Sequence, residues 1–149
     1  MKLYIAGPMS GYPQFNYPAF HAAAETLDAL GYEYVSPAEL DSEELQNLAM
    51  QSKDGSFKDI EGADETWGDL LARDVKLVAD VVDGVCLLPG WEQSRGARLE
   101  AFVAASMQKP VYRLPENGAP TIIPPMALMA SIAENTAQQG DTSRYDTGD

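Results

Sequence analysis

Two acidic side chains stand where apolar ones are expected. In residues 94–107, SRGARLEAFVAASM, Ser94 is placed to N-cap a helix on which Gly96, Leu99, Glu100, Val103 and Met107 share one face. In residues 66–79 a second helical stripe, Leu70, Leu71, Leu77 and Val78, is interrupted by Asp74. A carboxylate on an apolar stripe costs free energy unless something uses it. Glu100 leans toward its helix N-terminus, over Gly96, where the missing side chain leaves room for a ligand. Its alternative is a place at the stripe's edge, reaching water. For Asp74 the alternative is a surface ion pair with Arg73, Lys76 or Arg98.

Two more stretches have anion-binding chemistry. The loop Gly7-Pro8-Met9-Ser10-Gly11 offers backbone N–H groups and a hydroxyl. It lacks the GK[ST] of a P-loop and the GxGxxG of a dinucleotide fold, and a plain tight turn accounts for it taken alone. Ser94 beside Arg95 at a helix start can hold a phosphate oxygen, although each arginine by itself reads as a surface residue. Trp67 and Trp91 are packing residues that could also stack on a flat ring, and His21 lies off its helix's apolar face, exposed and inert. The single Cys86, in an apolar run, reads as a small buried hydrophobe; no metal site is expected.

The elements that must position these groups alternate. KLYIAGP is a short buried strand, Tyr17–Leu30 a helix with Phe20, Ala23, Ala24, Leu27 and Leu30 inward, and YEYVSP a second strand. An acidic segment from about 38 to 65 follows, either a lid or, as the sequence favours, a solvated insertion, with one helical turn in SEELQNLAMQ. The Asp74 helix, the strand GVCLLPG, the Glu100 helix, the strand PVYRL, a Pro-rich TIIPP and a short helix near 126–134 complete the chain. Such alternation implies a doubly wound α/β domain over 1–135, with a parallel sheet of four to five strands and helices on both faces. The tail 136–149 reads as disordered. Ligands of such sheets bind beyond the carboxyl ends of the strands, the rim where the Glu100 helix begins.

Composition narrows the partners. With 45% hydrophobic content in 149 residues, one domain can bury a core. A net charge of −13 argues against a nucleic-acid polymer or an anionic membrane. Positive charge is scarce before residue 73, with three Lys/Arg against thirteen Asp/Glu, and richer after it, with seven against ten, so it gathers around the Glu100 helix. No apolar run approaches the roughly 18 residues of a membrane span, and there is no signal-peptide pattern, so a cytoplasmic location is expected. Phe102, on the side of its helix away from Glu100, points to a homodimer.

YIAGP at the N-terminus, ARD ending at Asp74, and SRGARLEAFVAA around Glu100 together resemble the nucleoside 2-deoxyribosyltransferase family. The resemblance extends to its relatives, the 2'-deoxynucleoside 5'-monophosphate N-glycosidases, and to a small branch found in phages and bacteria. It covers roughly residues 3–11 and 70–112. It implies a Rossmann-like fold, Glu100 as the nucleophile, Asp74 as the acid that contacts the base, and Tyr4 as the residue that holds Glu100. Ser94, six positions before Glu100, matches the monophosphate glycosidases, where transferases acting on free nucleosides often have an acid. The first loop lacks the glycosidases' arginine, and the acidic insertion has no counterpart.

The implied chemistry is cleavage of an N-glycosidic bond through a covalent glutamyl-deoxyribosyl intermediate, with the sugar passing to water or to a second base and no cofactor required. The expected partner is a small nucleoside or nucleotide, in sites completed across subunits. A different class stays open: a nucleotide-binding sensor or sequestering protein, with Glu100 on a ribose hydroxyl.

Overall fold

A computed structural model describes residues 1–139. Five strands form one sheet in the order β2-β1-β3-β4-β5: β1 Lys2–Ala6, β2 Glu33–Val35, β3 Gly84–Leu87, β4 Val111–Arg113 and β5 Thr121–Ile122. The first four are parallel, and β5 pairs antiparallel with β4. The helices are α1 Tyr17–Ala29, α2 Pro37–Leu40, α3 Glu43–Gln51, α4 Trp67–Asp80, α5 Arg95–Ser106 and α6 Pro125–Gln138. This is the doubly wound, Rossmann-like α/β architecture. Its order reverses between β1 and β3, where such sheets open a crevice.

The period-two alternation of β1 decides which layer each side chain joins. Leu3 and Ile5 pack with Phe20, Leu27 and Cys86 beneath α1, while Tyr4 and Ala6 pack with Val78, Leu87, Ala97 and Ala101 beneath α4 and α5. Tyr4 therefore faces the layer that carries Asp74 and Glu100. At the end of α5, Lys109 Nζ donates to the carbonyls of Val78, Ala79 and Val82 at 2.8, 2.8 and 2.9 Å, clasping the C-terminus of α4.

Several expectations need correction. The buried stripe of α5 is Ala97, Glu100, Ala101 and Ala104, and Leu99 and Met107 are exposed instead. Small side chains let α5 lie close on the sheet and α4, so the seam follows the alanines and not the largest apolar residues. Leu30 is likewise exposed beyond the end of α1. The fifth strand is antiparallel. The last helix runs on to Gln138, and buried Gln139 donates to Gln93 O at 2.8 Å, so the expected tail does not begin at 136; its remainder lies outside the described residues.

The acidic insertion departs most from its reading. It holds α2, the nine-residue α3 and a short turn, Phe57–Ile60, and docks on the first loop. Gly11 N donates to Gly55 O at 2.9 Å, and Gln14 N donates to Ser52 O at 2.9 Å. Gly55 has a positive φ of 69°, and a side chain there would strike the Tyr12 backbone. The partner loop is itself unusual: Gln14, Phe15 and Asn16 all take positive φ, of 55°, 51° and 61°. Asn16 Nδ2 donates to Pro8 O at 2.9 Å, bracing that left-handed turn.

Candidate active site

A cleft of about 740 Å³, counting its open mouth, lies at the carboxyl end of β1, between α4, α5 and the insertion. Tyr4, Asp74 and Glu100 all line it. Tyr4 Oη donates to Glu100 Oε2 at 2.6 Å across 96 residues of sequence. The phenol is fully buried, and desolvation, followed by the charges of Glu100 and Asp74, holds its pKa well above the ordinary value. It thus stays a proton donor, with one O–H placed between two carboxylates. Gly96 also lines the cleft, and no atom lies near the position its side chain would take. The space beside Glu100 is open.

Asp74 has two of its expected features at once. Arg73 Nε donates to its Oδ1 at 2.8 Å, the ion pair, yet Asp74 also faces the cleft. Burial raises its pKa, and hydrogen bonding and charge from Arg73 oppose the rise without cancelling it. Arg73 continues outward: its Nη1 donates to Asp41 Oδ1 at 3.0 Å, and Tyr17 Oη donates to Asp41 Oδ2. Burial raises the pKa of Asp41 as well, against the same two donors. A contact chain therefore runs Glu100, Tyr4, Asp74, Arg73, Asp41, Tyr17.

The anion-binding residues divide. Gly7, Met9, Ser10, Ser94 and Gly96 line the cleft, whereas Pro8, Gly11 and Arg95 are not among its lining residues. Ser94 caps α5, its Oγ accepting from Ala97 N at 3.1 Å. Ser10 Oγ is buried with no hydrogen-bond partner in the protein. Arg95 lies 5.0 Å over the ring of Trp67, which does line the cleft. Arg98 is buried and donates from Nη1 to Glu92 O at 2.8 Å, so it is not a surface arginine. Trp91 is a core residue, His21 is exposed, and burial pushes the Cys86 thiol up to about 12, leaving it unreactive.

Sequence reasoning missed the opposite wall. Asp41, Leu45, Phe57 and Ile60 from the insertion, with Phe15 and Tyr17, complete the cleft. Leu70 and Leu71 face this space and not the core. Among the described residues, no cluster of three or more His, Cys, Asp or Glu is placed to hold a metal ion. None of the described helices is long and apolar enough to cross a membrane.

The fold and site together are those of a doubly wound α/β domain with a carboxylate-lined cleft where its strand order reverses. The chain belongs to the family described as Domain of unknown function (DUF4406), whose profile matches residues 1–113. The match spans the strands and helices that carry Tyr4, Asp41, Asp74 and Glu100, and ends before α6. No curated protein matches the chain significantly.

Proposed function

We propose that the protein cleaves the N-glycosidic bond of a 2'-deoxynucleoside 5'-monophosphate or nucleoside. The observation that carries the reading is the buried Tyr4–Glu100 hydrogen bond of 2.6 Å, made at the open end of the cleft where Gly96 leaves space. A Glu100 carboxylate oxygen bonds to C1' while the C1'–N bond breaks and its electron pair leaves with the base, which takes a proton from Asp74 or from water. Water then attacks C1' and gives up a proton, and the glutamyl ester bond breaks to restore the carboxylate. A second base in place of water makes the same sequence a transfer.

The cleft's other contents suit such a substrate. Its apolar side chains can flank a base, and Asp74, held above its usual range by burial, is a candidate proton source. Ser10, Ser94 and the N-terminus of α5 supply donors for a 5'-phosphate. The reading includes a homodimer across the outer face of α5, where Leu99, Phe102 and Met107 are exposed.

The test is incubation with 2'-deoxynucleosides and their monophosphates, with and without a free acceptor base, following released base. Release without acceptor identifies a hydrolase, and release only with acceptor a transferase. Binding without release would overturn the cleavage reading in favour of a sensor.

A further inference from the structure

We propose that Asp41 selects the leaving base, favouring one with an exocyclic amino group on the edge remote from the sugar: at C4 of a pyrimidine or C6 of a purine. The inference rests on the glycosidic reading above and deepens it. The contact chain sets the order of groups along the cleft. Glu100 meets Tyr4, Tyr4 lies against Asp74, and one guanidinium, Arg73, spans from Asp74 to Asp41. With C1' at Glu100 and the near part of the ring at Asp74, the remote edge is carried toward Asp41, one guanidinium width further on. Phe57, Ile60, Trp67, Leu70 and Leu71 give the same cleft apolar sides.

The hydrogen-bond inventory decides which edge fits. Asp41 accepts from Arg73 on Oδ1 and from Tyr17 on Oδ2, two donors that favour its ionised form against burial. An ionised carboxylate has about four acceptor positions, so it can take a further donor on each oxygen. Tyr17 has a single O–H, committed to Asp41, while Arg73 commits Nε and one N–H of Nη1 to the two acids and has three further N–H groups. An amino group brought here donates to Asp41. A carbonyl that faces the Asp41 oxygens, and not the guanidinium, sets acceptor against acceptor in a buried site, which costs binding free energy. A row of acids is not by itself a ligand site, but Ser10 independently marks this cleft as one: it is 8% exposed, lines the same space, and its hydroxyl has no partner in the protein.

Matched pairs of substrates test this: 2'-deoxycytidine against 2'-deoxyuridine 5'-monophosphate, and 2'-deoxyadenosine against 2'-deoxyinosine 5'-monophosphate. Each pair exchanges the amino group for a carbonyl. For the unaltered protein, kcat/KM for base release should favour the amino member of the better pair by roughly 100-fold or more. Asp41→Asn, whose amide can donate to a carbonyl, should shrink or reverse that ratio while release continues. Equal rates within both pairs, a preference for the carbonyl member, or a ratio that Asp41→Asn leaves unchanged would overturn the role of Asp41 and leave the cleavage reading standing. If no base is released from any of the four or from their free nucleosides, with or without an acceptor base, calorimetric titration decides. Tighter binding of the amino members, lost in Asp41→Asn, supports Asp41 while ending the cleavage reading; equal binding, or none, overturns both. The comparison on the unaltered protein stands even if Asp41→Asn fails to fold.

Discussion

The wall that carries Tyr4, Asp74 and Glu100 is made of a central strand and two long helices, whereas the facing wall is a run of short helices and turns between residues 36 and 66. On the first, β1 is paired on both sides, and Lys109 ties the end of α5 to the end of α4 with three hydrogen bonds. The second is held by the Asp41 contacts, by a few hydrogen bonds to the first loop and by Ala38 and Ala49, which join the core beneath α1. Groups that must hold a reacting carbon need positions fixed to a fraction of an ångström, which regular elements supply. Groups that judge the shape of a base can sit on a segment that changes without moving the others. Changes on the first wall should thus act on rate, and changes on the second on selectivity.

Glu100→Gln should show the contrast most strongly. It keeps the volume and the hydrogen bond to Tyr4 but cannot form the ester, and turnover should fall by roughly a thousandfold or more with an unchanged circular dichroism spectrum. Most of the activity surviving would remove Glu100 from the chemistry. Tyr4→Phe keeps the packed ring and loses one hydrogen bond to a charged group, about 1.5–3 kcal/mol, so kcat should drop roughly 10- to 100-fold with KM little changed. A change in KM alone would make Tyr4 a binding residue.

Ser94→Asp sharpens the comparison at the 5' end. Aspartate caps a helix as well as serine does, but Ser94 is buried, so the added carboxylate should lower Tm somewhat, while repulsion should weaken monophosphate binding roughly tenfold or more and spare the free nucleoside. Equal loss for both ligands in a calorimetric titration would leave Ser94 as a cap only. The smallest effect is on stability against pH. Burial holds Asp74 above the usual carboxylate range, so its contribution to stability is complete below its unfolded value, about 3.9, and is lost as pH rises through its folded value. Asp74→Asn removes that loss, and its Tm relative to the parent should climb between pH 4 and 7. Each kcal/mol is worth on the order of 2–4 °C in a domain of this size. A flat difference would mean that Arg73 fully compensates the burial.

What could be read from the sequence follows the same division. Asp74 and Glu100 interrupt regular stripes, so helical period alone flagged them, and the alternation of strands and helices placed them at one rim. Tyr4 carried no such flag beyond the resemblance, because a tyrosine in a buried strand looks like any core aromatic. Asp41 was silent for a different reason. It lies just past a four-residue helix in a polar stretch, and what makes it special are Tyr17 and Arg73, 24 and 32 residues away. Local pattern has no term for such contacts. The stripe on α5 was misjudged because large apolar residues were weighted over alanines, although close helix packing favours the small ones.

The left-handed turn at Gln14, Phe15 and Asn16 bears on how this protein can be improved. Asparagine tolerates that conformation, but glutamine and phenylalanine each give up on the order of 1 kcal/mol to adopt it. A selection for heat resistance would find a gain of that size by placing glycine or asparagine at Gln14, whereas at Phe15, buried in the core, losing the ring would cost about 3–5 kcal/mol and outweigh it. Phe15 is a cleft residue, and the Gln14 side chain holds the insertion by donating from Nε2 to Met50 O at 3.1 Å. Thermal robustness and the docking of the insertion therefore meet at Gln14, while Phe15 keeps its strained backbone because its ring is needed in the core.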